Sequence, residues 1–374
     1  MNKIGVLKEQ NGDPRVCLGS LTCKKIIKEL GFEIFVETTA GLNAGFSDQD
    51  YIEAGAQVLT RNEVMDSCDI LMFINHFRLP TCFNTNKIMI GIVNPLFLHH
   101  KLSDFYCKGL DLYSLDLMPR TTKAQSMDVL SSMQSLSGYK AVIKAAEIHN
   151  SVLPMFTTAA GTIQPAKVLV LGAGVAGLQA IATAKRLGAV VEAFDVRKAA
   201  GEEVRSLGAK FIEVEGAVEN QQAGGYAIEQ SEEYLQKQRE LIDKHVSQAS
   251  IIICTANIPG RKAPLLVEAD SVYKMKFGSV IIDLASEQGG NCALTNNDQI
   301  IEVNGVKIVG SSYLAREIPT TSSQMLSGNY FQFLKHFKTV MSNEVHDDAI
   351  VNSCLVLRDG QVFNERVQQF MTAH

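Results

Sequence analysis

The sequence predicts an α/β protein with two domains, each built on a mainly parallel β-sheet. The chain has 374 residues, more than the ~100–200 residues typical of one domain. Short apolar runs alternate with helical patterns in both halves of the chain, and this alternation is typical of helix-covered parallel sheets. Hydrophobic residues make up 46% and charged residues 20% of the chain, an ordinary composition for a folded globular protein.

The apolar runs define the predicted elements of the two α/β units. In the first 120 residues the predicted helices are Cys23–Leu30 and Ser47–Ala54, and the predicted strands are Lys3–Leu7, Phe32–Val36, Ile70–Phe73 and Ile88–Val93. The second unit begins at Lys167, and its predicted strands are Val168–Leu171, Val190–Phe194, Ile251–Thr255, Ser279–Leu284 and Val306–Gly310.

The segment between the two units has apolar side chains at roughly helical spacing. It predicts one continuous helix over residues 125–150 that joins the domains, with a weak point at Gly138. The C-terminal segment is again helical, so we expect it to return to the first domain. The predicted domains are therefore 1–137 plus 310–374 and, between them, 138–309.

A long polar stretch interrupts the second unit at residues 213–240, with Gln221–Tyr226 at its centre. Connections in compact domains are usually far shorter, so the stretch predicts a functional loop or lid. A merely disordered insertion is the alternative.

Composition excludes several classes of function. The formal net charge is −5 and there is no basic tract, which argues against nucleic-acid binding because phosphate contacts need clustered cations. The eight cysteines are scattered, without a CxxC pair or histidines at metal-ligand spacing. This pattern predicts reduced cysteines in a cytoplasmic protein and no metal site. No segment offers the ~20 uninterrupted apolar residues of a membrane span.

The most specific local motif is Gly-x-Gly-x-x-Gly at Gly172, Gly174 and Gly177. It follows an apolar strand and opens a helical run, which is the context that distinguishes a dinucleotide-binding, Rossmann-like unit. Gly172 permits the tight turn, Gly174 lets the backbone approach a diphosphate, and Gly177 lets helix and strand pack closely. The positive end of the helix dipole and its free N–H groups would hold the diphosphate.

Asp195 stands eighteen residues after Gly177, at the end of the next predicted strand. A carboxylate at this place accepts hydrogen bonds from the adenosine ribose hydroxyls and repels a 2′-phosphate, which favours NAD(H) over NADP(H). The nearby Arg197 could accommodate that phosphate, so spacing alone leaves NADP(H) open.

A second polar cluster precedes and begins the predicted joining helix. Arg120 is followed by Gln125, Asp128 and Ser131, which are three residues apart on one predicted helix face. These groups could hold a nicotinamide carboxamide and ribose. Alternatively, Thr122–Gln125 is only a capping box and Asp128 only complements the helix dipole.

No obvious general acid or base accompanies this cluster, although a dehydrogenase of alcohols or amines needs one. Direct hydride transfer between two nicotinamides would need none, and positioning would then be the main contribution of the protein.

Six motifs together resemble one family. They are Pro119–Ser132, which contains Arg120-x4-Gln125-Ser-Met-Asp128, and Ala159–Ala166, Gly172–Ala184, Ala223–Ala227, Ile258–Pro264 and Glu287–Cys292. With them the chain resembles the NAD(H)-binding alpha subunit (domain I) of proton-translocating NAD(P) transhydrogenases, which belong to the alanine dehydrogenase/transhydrogenase family. It looks like the split form, in which this domain is a separate chain.

The resemblance implies an activity and partners. Two Rossmann-like domains would flank a nucleotide cleft, and the chain would bind NADH and dock as a homodimer on membrane-spanning and NADP(H)-binding subunits. It would pass hydride directly to NADP+ on the partner, as a Re/Si-specific, proton-translocating transhydrogenase. We therefore expect a cytoplasmic location, peripheral to the inner (plasma) membrane.

The resemblance also implies site residues. Arg120, Gln125 and Asp128 would position the nicotinamide, with Ser131 beside them, and Tyr226 would lie in a mobile loop that closes over the nucleotide. The full set of expected cofactor-binding residues is Arg120, Gln125, Asp128, Ser131, Gly172, Gly174, Val175, Gly177, Asp195, Val196, Arg197, Gly225, Tyr226, Thr255, Ala256 and Asn257.

Alanine dehydrogenase is the rival enzyme, since it shares the fold. Its substrate arginine is matched by Arg15, but its substrate lysine falls near Asn75 and its catalytic aspartate at Glu287. A third possibility is a protein that binds NAD without hydride transfer. The chain departs from the transhydrogenase pattern at Tyr313–Ala315, Asn257 and Lys123.

Overall fold

The computed structural model describes residues 2–79, 86–214, 232–258, 261–343 and 347–373. The chain divides into two compact units. The first unit comprises the described residues of Met1–Met133 and Arg316–His374, and the second unit those of Gln134–Ala315.

Strands and helices alternate along most of the described chain. The strands are β1 (Lys3–Val6), β2 (Glu33–Glu37), β3 (Gln57–Leu59), β4 (Ile70–Met72), β5 (Lys87–Gly91), β6 (Leu110–Ser114), β7 (Phe156–Thr158), β8 (Gly161–Ile163), β9 (Lys167–Leu171), β10 (Val190–Phe194), β11 (Lys210–Ile212), β12 (Ile251–Cys254), β13 (Val280–Asp283), β14 (Gln299–Val303), β15 (Val306–Gly310), β16 (Leu355–Arg358) and β17 (Gln361–Val362). The α-helices are α1 (Ser20–Leu30), α2 (Asp48–Glu53), α3 (Arg61–Ser67), α4 (Val129–Ile148), α5 (Val175–Arg186), α6 (Ala200–Ser206), α7 (Glu232–Val246), α8 (Ala269–Tyr273), α9 (Pro319–Ser342), α10 (Ala349–Cys354) and α11 (Glu365–Ala373).

Each unit contains a large sheet of Rossmann-like strand order. The first sheet runs β17-β16-β6-β5-β4-β1-β2-β3 and the second runs β11-β10-β9-β12-β13-β15-β14. Neighbouring strands of these two sheets are parallel except at β16–β6, β16–β17 and β14–β15, and β7 and β8 form a separate antiparallel pair. The strand order reverses beside β1 and β4 in the first sheet, and beside β9 and β12 in the second, which is where such sheets bind ligands. The predicted α/β class is confirmed.

The core of the first unit explains how the C-terminal segment is held. Leu326, Tyr330, Phe333 and Leu334 of α9 are fully buried in the same apolar cluster as Ile4 of β1. Burial of such side chains contributes roughly 1.5–3 kcal/mol each. These contacts hold the C-terminal segment in the unit that the N-terminal strands form.

The joining helix is shorter than predicted. Helix α4 begins at Val129, and Gln125–Met127 form a separate 3₁₀ turn, because the backbone of Asp128 is extended, with φ −75° and ψ 93°. The helix continues through Gly138 without a break. A Cβ at Gly138 would lie 2.1 Å from the carbonyl oxygen of Ala176, and the missing side chain permits this close approach.

The polar stretch 213–240 is helical in its last part, where α7 begins at Glu232. The expectation of a loop over the whole stretch is therefore wrong for residues 232–240. Residues 215–231, including Gly225 and Tyr226, lie outside the described residues.

Candidate nucleotide-binding site

The glycine-rich turn lies in the second unit between β9 and α5. Gly172 has a φ of +100°, and a Cβ at Gly177 would lie 1.8 Å from the Gly172 carbonyl oxygen. Thr255, which follows β12, donates a hydrogen bond from Oγ1 to that same oxygen at 2.8 Å. The turn is therefore packed tightly against the end of β12, at the point where the strand order reverses.

Gly174 differs from the other two glycines. A Cβ at Gly174 would have no heavy atom of the described residues within 4 Å, and Gly174 is exposed directly before α5. No side chain of the residues with a described structure caps this helix end. Packing against the described part of the chain therefore does not require a glycine here, whereas the close approach of a diphosphate to the backbone would.

The Asp195 carboxylate is hydrogen-bonded both to this turn and to the side chain of Arg197. Oδ2 accepts hydrogen bonds from the Ala173 N–H at 2.8 Å and Arg197 Nη2 at 2.9 Å, while Oδ1 accepts from Arg197 N and Nε, both at 2.9 Å. The Asp195 side chain is only 8% exposed. The hydrogen bonds that Arg197 donates to Asp195 raise the pKa of Arg197. The sequence predicts Asp195 beside a ribose but does not predict its hydrogen bond from the Ala173 N–H.

The residues after β12 are fixed from the opposite side by Asn291. Its Oδ1 accepts from the Ala256 N–H at 3.0 Å, and its Nδ2 donates to the carbonyls of Ala256 and Pro264, both at 2.8 Å. Asn291 is completely buried. This amide sets the conformation of the turn at Thr255–Asn257.

Asp283 in turn holds Asn291. Its Oδ2 accepts from the N–H groups of Asn291 and Cys292 and from Thr295 Oγ1, at 2.7–3.0 Å. Burial raises the pKa of Asp283 above its usual value. Sequence reasoning assigned no role to Asn291 or Asp283. The available signals were an aspartate at a strand end and the place of Asn291 within the Glu287–Cys292 motif.

The Arg120–Ser131 segment lies in the first unit. Asp128 precedes α4 and caps it, since Oδ1 accepts from the Ser131 N–H at 3.0 Å and Oδ2 accepts from Ser131 Oγ at 2.6 Å. Gln125 lies in the 3₁₀ turn and is exposed, as is Arg120. Asp128 and Ser131 are thus brought together, but the expected single helix face with Gln125 is wrong. The alternative capping box at Thr122 is also wrong, because no α-helix starts there.

Arg15, the counterpart of a substrate arginine in alanine dehydrogenase, is already neutralised. Its Nε and Nη2 donate to the two oxygens of Asp13 at 3.0 and 2.7 Å, and both side chains are at most 5% exposed. Arg316 Nε lies 3.0 Å from Asp13 Oδ2. Asn75 Nδ2 donates to Asp13 and to Glu9, both at 2.8 Å.

Glu287, at the position of the alanine dehydrogenase aspartate, is also paired. The Tyr313 hydroxyl donates to Glu287 Oε2, and Ser312 Oγ accepts from the Glu287 N–H at 2.8 Å. Tyr313, at which the chain departs from the family pattern, therefore has Glu287 as a hydrogen-bond partner.

The described ranges contain neither a metal-ligand cluster nor a helix suited to span a membrane. No group of three His, Cys, Asp or Glu side chains there is arranged to hold a metal ion. Among the same residues, no helix is both long and apolar enough to cross a membrane.

Comparison with known families assigns the chain. The profile "Alanine dehydrogenase/PNT, N-terminal domain" matches residues 5–137, and "Alanine dehydrogenase/PNT, C-terminal domain" matches residues 141–365. The chain belongs to this family. Within the alanine dehydrogenase/PNT family, the resemblance to transhydrogenase alpha subunits is confirmed by individual relatives.

Two such relatives are each named as the first part of an NAD(P) transhydrogenase alpha subunit. The protein from Rickettsia prowazekii is 37% identical over 376 residues, covering 98% of this chain and 97% of its own. The protein from Rhodospirillum rubrum is 40% identical over 377 residues, covering 96% and 97%. An alanine dehydrogenase from Staphylococcus epidermidis is 26% identical over 333 residues, covering 86% and 83%.

A solved structure agrees with this assignment. The crystal structure of transhydrogenase from Sinorhizobium meliloti has a TM-score of 0.86 and 40% identity, covering 97% of this chain and 100% of that one. An L-alanine dehydrogenase structure with a TM-score of 0.83 and 24% identity shows the shared fold alone. This alanine dehydrogenase/PNT chain is therefore a homologue of transhydrogenase alpha subunits over nearly its whole length.

Proposed function

We propose that the chain is the NAD(H)-binding subunit of a proton-translocating NAD(P) transhydrogenase. It passes hydride directly from NADH to NADP+ held on a partner subunit, and proton movement through a membrane-spanning partner is coupled to this transfer. The observation that carries the proposal is the open backbone at Gly174 beside Asp195, in a chain about as long as the transhydrogenase subunits that it matches.

The second unit would hold the adenosine diphosphate half of NAD(H). The diphosphate would lie over Gly172–Gly177 at the N-terminus of α5, where the helix dipole is favourable for anions. Asp195 and its neighbour Val196 would face the adenosine ribose. Arg197 is already paired with both carboxylate oxygens of Asp195, so its charge would not be available to a 2′-phosphate. This pairing favours NAD(H) over NADP(H) as the bound nucleotide.

Three further parts of the proposed site adjoin this half. Val175 is 40% exposed at the start of α5 and would lie against the diphosphate. The turn Thr255–Asn257, fixed by Asn291, would line the same site. We also propose that Gly225 and Tyr226, which lie outside the described residues, contact the nucleotide.

Arg120, Gln125, Asp128 and Ser131 would position the nicotinamide end. Their amide, guanidinium and carboxylate groups can donate to and accept from a carboxamide and a ribose. NADH supplies the hydride, so the chain needs no general acid or base at this step and contributes chiefly by positioning.

The proposed assembly follows from the relatives' names, in which a divided alpha subunit implies that other subunits complete the enzyme. We propose that this chain forms a homodimer and attaches to the inner membrane only through its partners. One partner spans the membrane, and one binds NADP(H). Re/Si specificity is part of the same proposal.

Alanine dehydrogenase activity is the second candidate, favoured only by the shared family. In this chain a substrate carboxylate would have to displace Asp13 from Arg15, and breaking a buried pair typically costs about 3–5 kcal/mol. The Glu287 carboxylate likewise already accepts a hydrogen bond from the Tyr313 hydroxyl. Binding of NAD without any hydride transfer is the third candidate.

A reconstitution assay tests the proposal. The purified chain is mixed with NADH and an NADP+-loaded transhydrogenase partner domain, and each component is omitted in turn. Transfer that requires both proteins supports the subunit function. Alanine-dependent reduction of NAD+ by the chain alone would instead establish alanine dehydrogenase, and NADH binding without either reaction would establish a binding protein.

A further inference from the structure

The 3₁₀ turn that carries Gln125 is held by one side chain from a distant part of the sequence. Asn329 of α9 donates a hydrogen bond from Nδ2 to the carbonyl oxygen of Ser126 at 2.9 Å, across 203 residues of chain. Both residues belong to the first unit. Asn329 is 7% exposed, so water competes little for this bond.

The orientation of the Asn329 amide follows from its partner. A carbonyl oxygen only accepts hydrogen bonds, so the amide nitrogen must face Ser126 and Oδ1 must point away. Among the residues that the structure describes, none donates to Oδ1, although this atom is buried.

This arrangement is a poor source of stability. One amide–carbonyl hydrogen bond contributes about 0.5–1.5 kcal/mol, whereas an unmet buried acceptor costs about 1–3 kcal/mol. An apolar side chain of similar volume at position 329 would avoid the cost of the unmet acceptor. Net stabilisation of the fold therefore does not explain the presence of an asparagine.

Helix α9 is a suitable frame for positioning, because neighbouring residues on it are also tied to the first unit. Ser323 Oγ accepts from the Val16 N–H at 3.0 Å, and Tyr330 donates to the Phe73 carbonyl at 2.5 Å. A group mounted on such an anchored element is held more precisely than a group on a loop.

The turn needs this support at one place in particular. The side chains of Ala124 and Met127 are buried in the core and anchor the two sides of the turn. Between them Gln125 and Ser126 are exposed, and the Asn329 bond fixes the peptide that joins Ser126 to Met127. Asp128 follows directly and caps α4.

We propose that Asn329 is a positioning residue, which fixes the orientation of the Gln125–Asp128 turn toward the nicotinamide through the Ser126 carbonyl. This inference rests on the proposed function of that turn. Asn329 does not itself contact the hydride donor; it acts through Gln125 and Asp128.

The test replaces Asn329 with Leu, which has the same branching at Cγ and the same number of side-chain heavy atoms but no hydrogen-bonding group. Gln324→Ala, an exposed substitution on the same helix, is the control. We expect Asn329→Leu to lower hydride transfer about tenfold, because small misplacements are costly, while the NADH dissociation constant changes by less than about threefold. The melting temperature should stay equal to that of the wild type or rise.

A purely structural role predicts the opposite pattern. Two results would overturn the inference. One is a loss of transfer accompanied by a lower melting temperature, and the other is a transfer rate within about threefold of wild type. If Asn329→Leu does not fold, Asn329→Asp provides the second variant: it keeps the shape, cannot donate to Ser126 when ionised, and should show the same split between transfer and binding.

Failure of the proposed function is recognised separately. The fluorescence lifetime of NADH bound to the chain alone reports the surroundings of the nicotinamide ring. If the wild type binds NADH but transfers no hydride, the proposed function fails. A lifetime that changes in Asn329→Leu would still support the positioning role, and an unchanged lifetime would refute it.

Discussion

Asp195 and Arg197 form a two-point ion pair, in which each carboxylate oxygen lies 2.9 Å from a different guanidinium nitrogen. The same carboxylate accepts the Ala173 N–H, so one aspartate links the end of β10 to the glycine-rich turn. The residue that sequence spacing assigns to cofactor choice thus also supports the glycine-rich turn that we propose as the diphosphate site.

Asp195→Asn should therefore weaken NADH binding about tenfold and reduce the preference for NADH over NADPH. The amide cannot accept from all four donors, and hydrogen bonds to charged groups are worth about 1.5–3 kcal/mol. Titration of both nucleotides checks this. Glu213→Gln, which makes the same charge change in the exposed pair with Arg205, should leave both affinities unchanged. An unaltered preference in Asp195→Asn would remove Asp195 from cofactor selection.

Gly174 and Gly177 should respond differently to alanine. The Cβ of Gly174→Ala meets no atom within 4 Å in the part of the chain that the structure describes, so the melting temperature should match the wild type. NADH binding should fall, because the methyl group would block the proposed approach of the diphosphate. In Gly177→Ala the Cβ would lie 1.8 Å from the Gly172 oxygen, and the fold itself should be destabilised. Calorimetry of binding and unfolding separates the two effects. Normal NADH affinity in Gly174→Ala would place the diphosphate elsewhere.

Asp128 combines helix capping with the proposed nicotinamide site, and two substitutions separate these roles. Asparagine caps helices as well as aspartate, so Asp128→Asn should keep its stability, whereas Asp128→Ala should lose about 1 kcal/mol. Both should slow hydride transfer more than they weaken NADH binding. Thr60→Ala, which removes the cap of α3, is the matched control and should lower stability alone. Wild-type transfer by Asp128→Asn would leave Asp128 with only the capping role.

Glu9 should make stability depend on pH. Burial raises the pKa of Glu9 from 4.5 to about 7, despite three hydrogen bonds from Ile74 and Asn75. Between these two pH values the folded state holds a proton that the unfolded chain has lost. The free energy of unfolding should therefore fall as the pH rises from 4.5 to about 7.

Glu9→Gln provides the measurement of that effect. Denaturant unfolding of both proteins across this pH range should give a wild-type curve that declines relative to the variant. Asp116, whose pKa burial raises to about 6, titrates in both proteins and cancels in the difference. A difference that does not change with pH would show that Glu9 is ionised throughout the range.

The parallel core of the second unit was predictable because its strands are buried runs of Val, Ile and Leu, and Val190–Phe194 and Val306–Gly310 have the predicted bounds. Strand β16 was not predicted, because it is defined by pairing with β6, more than two hundred residues earlier. The start of α4 was missed because the apolar spacing continues across Asp128, and only its capping bonds stop the helix there.

The candidate site was predictable where local chemistry suffices. Gly172, Gly174 and Gly177 are recognised from their spacing after a strand, and Asp195 from its place at the end of the next strand. Asn291 and Asn329 were not recognisable, because each acts on a backbone group brought near only by folding. The pairing of Arg15 with Asp13 also required the structure, since the sequence matches Arg15 equally well to a substrate-binding residue.

Isotope tracing tests direct hydride transfer most clearly. The chain is supplied with NADH carrying deuterium on either face of nicotinamide C4, together with an NADP+-loaded partner domain in ordinary water, and the NADPH is analysed by mass spectrometry. The account predicts that deuterium from one face passes completely into NADPH, and only when both proteins are present. NADPH that contains hydrogen from solvent, or that forms without this chain, would contradict it.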